Sequence, residues 1–215
     1  MIDQKKVNMV LGEFFGTAIL TLVIYTILAR TGFPFFTGLA AGIAVGILVF
    51  TIDKFSDAHV NPVVTFGLWS LRKVKTTQAV VYIGAQLLGG LAAWALLKYL
   101  MGRSLSNLAG GAFDWKIFTA EALGAFVLLF GIAAAVYQKY DQSRLALAMG
   151  GSLFLGILVA SLASNGIVNP AVAIGVQSWN WSYAVAPLVG AVLGANVYGF
   201  MASPMKLAKK SSRKK

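Results

Sequence analysis

Few side chains in this 215-residue sequence could do chemistry, and most of them come in matched pairs. Asn61-Pro62-Val63 and Asn169-Pro170-Ala171 are separated by the same interval that separates Glu13 from Glu121. Each glutamate therefore precedes its own Asn-Pro by an identical distance along the chain. The register runs on, with Gly67 matching Gly175 and Ser70 matching Ser178. A carboxylate inside an apolar segment is costly and marks function by default. One chemistry open to Glu13 and Glu121 is proton coupling or cation binding. The other is structural: a carboxylate accepting hydrogen bonds from the backbone that leads into its own Asn-Pro. The constant interval favours the structural role. His59, the single histidine, stands just before Asn61. Without Cys, Asp or Glu at ligand spacing it makes a poor metal site, and Asp57 alone does not complete one. His59 is expected to fix its loop or to act as a pH-sensitive gate. No Gly-rich phosphate loop, nucleophile elbow or His/Cys cluster stands out, so the sequence does not read as an enzyme and implies no cofactor and no metal.

The Asn-Pro pairs are themselves structural signals. Asparagine is a favoured helix N-cap, and proline suits the first helical position, where its missing N–H is not needed. The segments 59–70 and 167–178 are apolar but too short to span a bilayer. A helix of about ten residues rises about 15 Å, half the hydrocarbon thickness. Two such helices starting at Asn61-Pro62 and Asn169-Pro170, and coming from opposite faces, would meet tip to tip. The segments leading in, Ser56–Val60 and Ser164–Val168, expose backbone carbonyls. That is tolerable inside a membrane only where the backbone is buried in protein or lines a wet cavity. The pattern asks for a pore or a central site.

Composition supplies the elements that must hold these motifs. The chain is 58% hydrophobic and 12% charged, with a mean hydropathy of +0.77. The whole stretch from Leu145 to Met205 carries no charged side chain. Segments of about 20 apolar residues span a bilayer, and six are predicted, at 9–29, 35–52, 77–98, 117–137, 145–163 and 183–203. The fold class is an all-α membrane protein, a single membrane domain over 1–215. It comprises a first repeat at 7–101, a second at 115–203 and a basic tail at 204–215. Three spans per repeat turn the second copy upside down, giving an inverted-topology repeat whose site lies near the midplane. The Gly/Ser/Asn-rich stretch 102–113 joins the halves. The first apolar run outlasts a signal-peptide core and reads as a retained span. There is no cysteine, so neither disulfide nor thiol chemistry is available.

Most of the 18 Lys and Arg residues fall on one side of this topology; Arg30, Lys98, Arg103 and Lys116 fall on the other. Basic loops stay cytoplasmic, which places both termini inside. The net charge of +11 is then mostly topology, with weak attraction to anionic lipid and no nucleic-acid partner. Gly38, Gly42 and Gly46 share one face of the second span, and Gly190 and Gly194 one face of the sixth, as closely packed membrane helices require. Trp115, Trp179, Trp181 and Tyr183 stand at span ends and are expected to be interfacial anchors.

Two Asn-Pro-Ala-like motifs, one per inverted half, with six spans and a glutamate in the first span of each half, resemble the major intrinsic protein family of aquaporins and aquaglyceroporins. The stretch Ala58-His59-Val60-Asn61-Pro62-Val63-Val64-Thr65-Phe66-Gly67 is especially close, and the resemblance covers about residues 8–203. It implies six-helix protomers enclosing two half-helices, usually assembled as homotetramers with one pore each. It implies that Asn61 and Asn169 donate side-chain N–H groups to passing solute, with Pro62, Val63, Pro170 and Ala171 beside them. A carboxamide NH₂ is a donor that water or a hydroxyl can accept from. Each half-helix N-terminus adds roughly half a positive charge near the midplane. That field opposes cations and interrupts a proton-conducting water chain, a mechanism for which aquaporin-type pores are the established case.

One departure bears on selectivity. Most of the family has arginine directly after the second Asn-Pro-Ala, where this chain has Val172. Counted from the two asparagines, the other constriction positions are Ala41, Ile157 and Gly166. The set is small and apolar, unlike the aromatic-histidine-arginine filter of water channels or the aromatic-arginine filter of glycerol channels. The outer mouth is expected to be wider and drier. A missing unit charge about 4 Å away, at an effective dielectric near 20, lowers the barrier to cations by roughly 4 kcal/mol. The half-helix dipoles remain, so exclusion is weakened but not abolished. Val63 in place of alanine is expected to alter packing behind the half-helix. The function implied is a passive channel for water and small uncharged solutes, up to glycerol in size, in a cytoplasmic (plasma) membrane. The alternatives are a weakly selective ion or proton pathway and a non-conducting membrane scaffold.

Overall fold

The computed structural model describes residues 3–212, with side chains for residues 3–203. The basic side chains expected at 204–215 lie outside the described side chains. Eight helices follow in order: α1 (Gln4–Thr31), α2 (Pro34–Ile52), α3 (Pro62–Ser70), α4 (Thr76–Met101), α5 (Trp115–Gln138), α6 (Gln142–Ala160), α7 (Pro170–Gly175) and α8 (Trp181–Ser212). No strand occurs among the described residues. Six of the helices are long and apolar enough to cross a membrane, and α3 and α7 are the two short ones.

Hydropathy located the spans but not their ends, because the caps are polar and lie outside the apolar run. Asp3 accepts a hydrogen bond from Lys5 N, Asp114 from Lys116 N and Ile117 N, and Asp141 from Arg144 N. These N-caps satisfy donors that a helix start leaves open. They carry α1, α5 and α6 a little past the ends that apolarity suggests. Both short helices begin at the expected Asn-Pro, α3 at Pro62 and α7 at Pro170, but α7 ends at Gly175 rather than 178. Beyond α7 the chain turns through Gln177 at φ 61°, which no helix continues.

Helix contacts are set by small residues. A methyl added at Gly42 would lie 2.7 Å from the Gly150 carbonyl, so only glycine lets α2 and α6 approach this closely. Two further contacts show how the halves correspond. Gly89 of α4 lies against the Phe14 carbonyl of α1, and Gly190 of α8 against the Ala122 carbonyl of α5. Phe14 and Ala122 keep the interval that separates Glu13 from Glu121, whereas Gly89 and Gly190 stand closer together than that. The repeat thus shifts register after Ser70 and Ser178, which hides its later part from a sequence comparison at fixed spacing.

One aromatic expectation is corrected here. Trp115, Trp179 and Trp181 are exposed at helix ends, but Tyr183 is buried. Its hydroxyl accepts from Asn165 N at 3.0 Å, and Tyr82 accepts in the same way from Asp57 N at 3.1 Å. Tyr82 and Tyr183 are related by the shifted register and brace the two lead-in segments.

Candidate functional site at the paired asparagines

Asn61 and Asn169 cap α3 and α7. Asn61 Oδ1 accepts from Val63 N at 2.9 Å, and Asn169 Oδ1 accepts from Ala171 N at 3.1 Å and Val172 N at 3.3 Å. With the oxygens used as caps, the amide nitrogens face the other loop. Asn61 Nδ2 donates to the Val168 carbonyl at 3.0 Å, and Asn169 Nδ2 donates to the Val60 carbonyl at 3.1 Å. The two tips are clasped reciprocally. A carboxamide has two N–H donors, so after the clasp each asparagine keeps one. Both are buried, Asn61 at 3% and Asn169 at 1% exposure.

The backbone that presents these tips is strained in the same way twice. Ala58 and Val60 have φ of 50° and 45°, and Gly166 and Val168 have φ of 63° and 43°. A β-branched residue in the left-handed region is an outlier costing on the order of 1–3 kcal/mol. What holds each bend is a glutamate. Glu13 accepts from His59 N at 3.1 Å and Val60 N at 2.8 Å; Glu121 accepts from Ile167 N at 2.9 Å and Val168 N at 2.7 Å. Both carboxylates are fully buried. With the N–H groups turned onto the glutamates, the carbonyls of Val60 and Val168 are free to face the opposite asparagine.

Around this shared frame the halves differ. Gln86 Nε2 donates to Glu13 at 2.6 Å and to Thr65 Oγ1 at 3.0 Å, and Thr65 Oγ1 shares a hydrogen bond with His59 Nδ1 at 3.0 Å. The His59 ring meets Tyr82 edge to face, 5.4 Å between centroids. In the second half Ile167 and Ala173 stand where His59 and Thr65 stand in the first. There Glu121 receives a hydrogen bond from Ser164 Oγ at 2.6 Å. Gln86, Thr65, Ser164, Tyr82 and Tyr183 were not singled out by sequence as site residues in these roles. For Gln86 a signal existed: an amide in the middle of an apolar span needs a partner.

A cavity of about 10 Å³, roughly the room one water needs, adjoins the clasp. His59, Val60 and Asn61 line it together with Leu20, Val45, Val64, Leu128, Ile132, Met149 and Leu153. Pro62, Val63, Pro170 and Ala171 are buried outside that lining, and the Ala171 carbonyl packs on Gly90 of α4. The four positions picked out by spacing, Ala41, Ile157, Gly166 and Val172, are all buried, Ala41 and Val172 at 0% and Ile157 at 1%. All four are apolar, and in this conformation they present almost no surface to a water-sized sphere, where a wider mouth was expected from the loss of arginine. The surroundings are close: a methyl added at Gly38 of α2 would lie 3.0 Å from the Phe154 ring and 3.3 Å from Ile157 Cγ2, and one added at Gly166 would lie 2.8 Å from the Ile157 carbonyl. The Thr37 hydroxyl, one helical turn from Ala41 on α2, is buried without a hydrogen-bond partner, and sequence reasoning missed it. Among the described residues there is no cluster of three or more His, Cys, Asp or Glu that could hold a metal ion.

Comparison with known proteins places this architecture. The family model for the major intrinsic protein matches residues 4–198. Aquaporin AqpM of Methanothermobacter thermautotrophicus is 29% identical over 187 residues, covering 77% of this chain and 76% of its own. Aquaporin-5 of Mus musculus is 30% identical over 185 residues, covering 79% of this chain and 70% of its own. The solved structure of the aquaglyceroporin from Plasmodium falciparum superposes with a TM-score of 0.74 over 93% of this chain and 98% of that one, at 23% identity, a likeness of fold.

Proposed function

We propose that this chain, which belongs to the major intrinsic protein family, conducts water and small uncharged solutes passively through a path that runs past Asn61 and Asn169. The observation that carries the reading is the reciprocal clasp, which leaves one buried amide N–H on each asparagine. A solute passing the clasp exchanges its hydrogen bonds with water for bonds to these two donors, so that a step of the path is polar inside a wall that is apolar apart from His59. The fixed orientation of both amides, with each oxygen turned to its own helix start as a cap, means that each asparagine offers the solute an N–H donor. That is unfavourable to a cation and breaks the continuous orientation a proton wire needs.

Selectivity rests on Ala41, Ile157, Gly166 and Val172. None of the four offers a side-chain donor, so a solute here gives up hydrogen bonds without replacement, which disfavours strongly hydrated species. The absence of a cation at Val172 lowers the electrostatic barrier to cations by roughly 4 kcal/mol, on the same dielectric argument as before. His59, Glu13 and Glu121 act as loop supports. The reading as an ion or proton pathway through the glutamates is the weaker one, because both carboxylates are committed to backbone N–H groups. We further propose a homotetramer in the plasma membrane with both termini cytoplasmic, built from inverted repeats at 7–101 and 115–203.

The test is swelling of proteoliposomes in water, glycerol and urea gradients. Permeability above that of protein-free liposomes for water, and for at least one of the other two, is expected; equality for all three overturns the channel reading.

A further inference from the structure

We infer that the Thr37 hydroxyl is a solute-binding group on the path, one helical turn beyond Ala41 and on the side of the asparagine pair away from the small cavity. It takes small uncharged solutes that carry hydroxyl or amide groups, such as polyols and urea. The inference rests on the channel reading above and deepens it by naming a binding group and the solute class that suits it.

Thr37 is set apart by what its hydroxyl does not do. Thr21, Thr26, Thr31, Thr51, Thr65 and Thr119 each donate to the carbonyl four residues back. That is the ordinary outlet for a helical threonine. At Thr37 the outlet is closed, because the Phe33 carbonyl already accepts from Phe36 N at 3.1 Å and from Thr37 N at 3.3 Å. A carbonyl oxygen has two lone pairs, and both are engaged. Thr37 is 1% exposed, and its hydroxyl has no partner. A buried hydroxyl left unpaired is costly, and each such group calls for an explanation.

Its place in the fold supplies one. On α2, Val45 lines the cavity beside the clasp, and Ala41 and then Thr37 follow, each one turn further. Residues four apart share a helix face, so Thr37 continues the cavity wall. The adjacent stripe of α2 is taken up by α6: a methyl at Gly38 would lie 3.0 Å from the Phe154 ring, and one at Gly42 2.7 Å from the Gly150 carbonyl. Thr37 stands beside that contact rather than in it. Ala41, Ile157, Gly166 and Val172 offer no polar side chain, whereas a hydroxyl both donates and accepts. The asparagine amides present N–H donors, so Thr37 adds a side-chain acceptor, which suits solutes carrying O–H or N–H groups. Thr17 provides the contrast. Its hydroxyl is also buried and without a partner, but the residue packs on α4, where a methyl at Gly89 would lie 3.2 Å from Thr17 Cβ.

The chain has no cysteine, which permits a test by thiol labelling that does not depend on flux. Thr37→Cys and Thr17→Cys are exposed in proteoliposomes to a small uncharged methanethiosulfonate. Leu162→Cys, at a side chain that is 82% exposed, serves as the reagent control. Labelling at 37 and none at 17 is expected; labelling of the control alone, or of 17 as readily as 37, overturns the inference. Swelling in glycerol and urea gradients is then compared for wild type, Thr37→Val and Thr37→Ser. Valine keeps the shape and removes the hydroxyl; serine keeps the hydroxyl and removes the methyl. Losing one hydrogen bond is expected to slow glycerol or urea entry about fivefold in Thr37→Val, with Thr37→Ser close to wild type. Because the hydroxyl has no partner without a solute, the valine variant loses flux without losing stability, a combination that a packing role does not give. Thr37→Val at the wild-type rate, or Thr37→Ser slowed as much as Thr37→Val, rules the binding role out. If Thr37→Cys is labelled while wild-type swelling is no greater than in protein-free liposomes, the channel reading falls separately. In that case slowing of the labelling by added glycerol supports the Thr37 site, and unchanged labelling removes it.

Discussion

The two lead-in loops follow the same backbone path but are held by different chemistry. In both, a buried glutamate takes two N–H groups and an asparagine caps the helix that follows. Around the first loop the support is a polar chain from Glu13 through Gln86 and Thr65 to His59. Around the second, Ile167 and Ala173 fill the corresponding places and Ser164 alone adds a side-chain donor to Glu121. The difference teaches that the strained bend at Val60 and Val168 needs the carboxylate, whereas the surrounding support can be either hydrogen-bonded or packed. A fully satisfied buried network and an apolar core are both acceptable; a half-satisfied network is not.

The strongest way to break this comparison is to remove the shared part. Glu13→Ala and Glu121→Ala each leave two buried backbone N–H groups without acceptors, at about 1–3 kcal/mol per group. Each variant is expected to lower the unfolding midpoint in detergent, and by similar amounts. A loss confined to one of them would show that the halves are not held alike.

A smaller effect sharpens the contrast between polar and packed support. Ala173→Thr places a hydroxyl in a fully packed apolar site and costs on the order of 1–3 kcal/mol by overpacking. Thr65→Ala leaves buried His59 Nδ1 without its partner and Gln86 Nε2 with Glu13 alone, also at about 1–3 kcal/mol. Thermal unfolding of both variants is expected to fall below wild type; an unchanged midpoint for Ala173→Thr would mean that the second half tolerates the polar chain as well as the first.

The smallest effect is a gain. Thr37→Val removes a buried hydroxyl that has no partner and is nearly the same size, and should raise stability by up to about 1 kcal/mol. A loss of stability would show that the hydroxyl is satisfied by water when the protein is in a membrane.

Much of the fold could be read from the chain because its two strongest signals are physical necessities. Long apolar runs must span the lipid, and Asn-Pro must start a helix. The interval shared by the glutamate pair and the Asn-Pro pair marked the second half as a copy of the first. Other parts were hidden for definable reasons. α7 stops at Gly175 although apolar residues run on, because the turn at Gln177 is a property of backbone geometry that hydropathy does not carry. Gln86 and the tyrosine braces were hidden by the shift of register between the halves: Tyr82 and Tyr183 do similar work but fall out of step with the paired motifs. The tight packing at Ile157 could not be read either, since apolar and small residues at four positions are compatible with an open mouth or a closed one.

The claim that most depends on measurement is that a path runs past the clasped asparagines. Osmotic swelling of proteoliposomes carrying the wild-type chain, followed by light scattering against protein-free liposomes of the same lipid, tests it most directly. The account predicts faster water entry with protein present than without it. Identical rates for wild type and protein-free liposomes would contradict it.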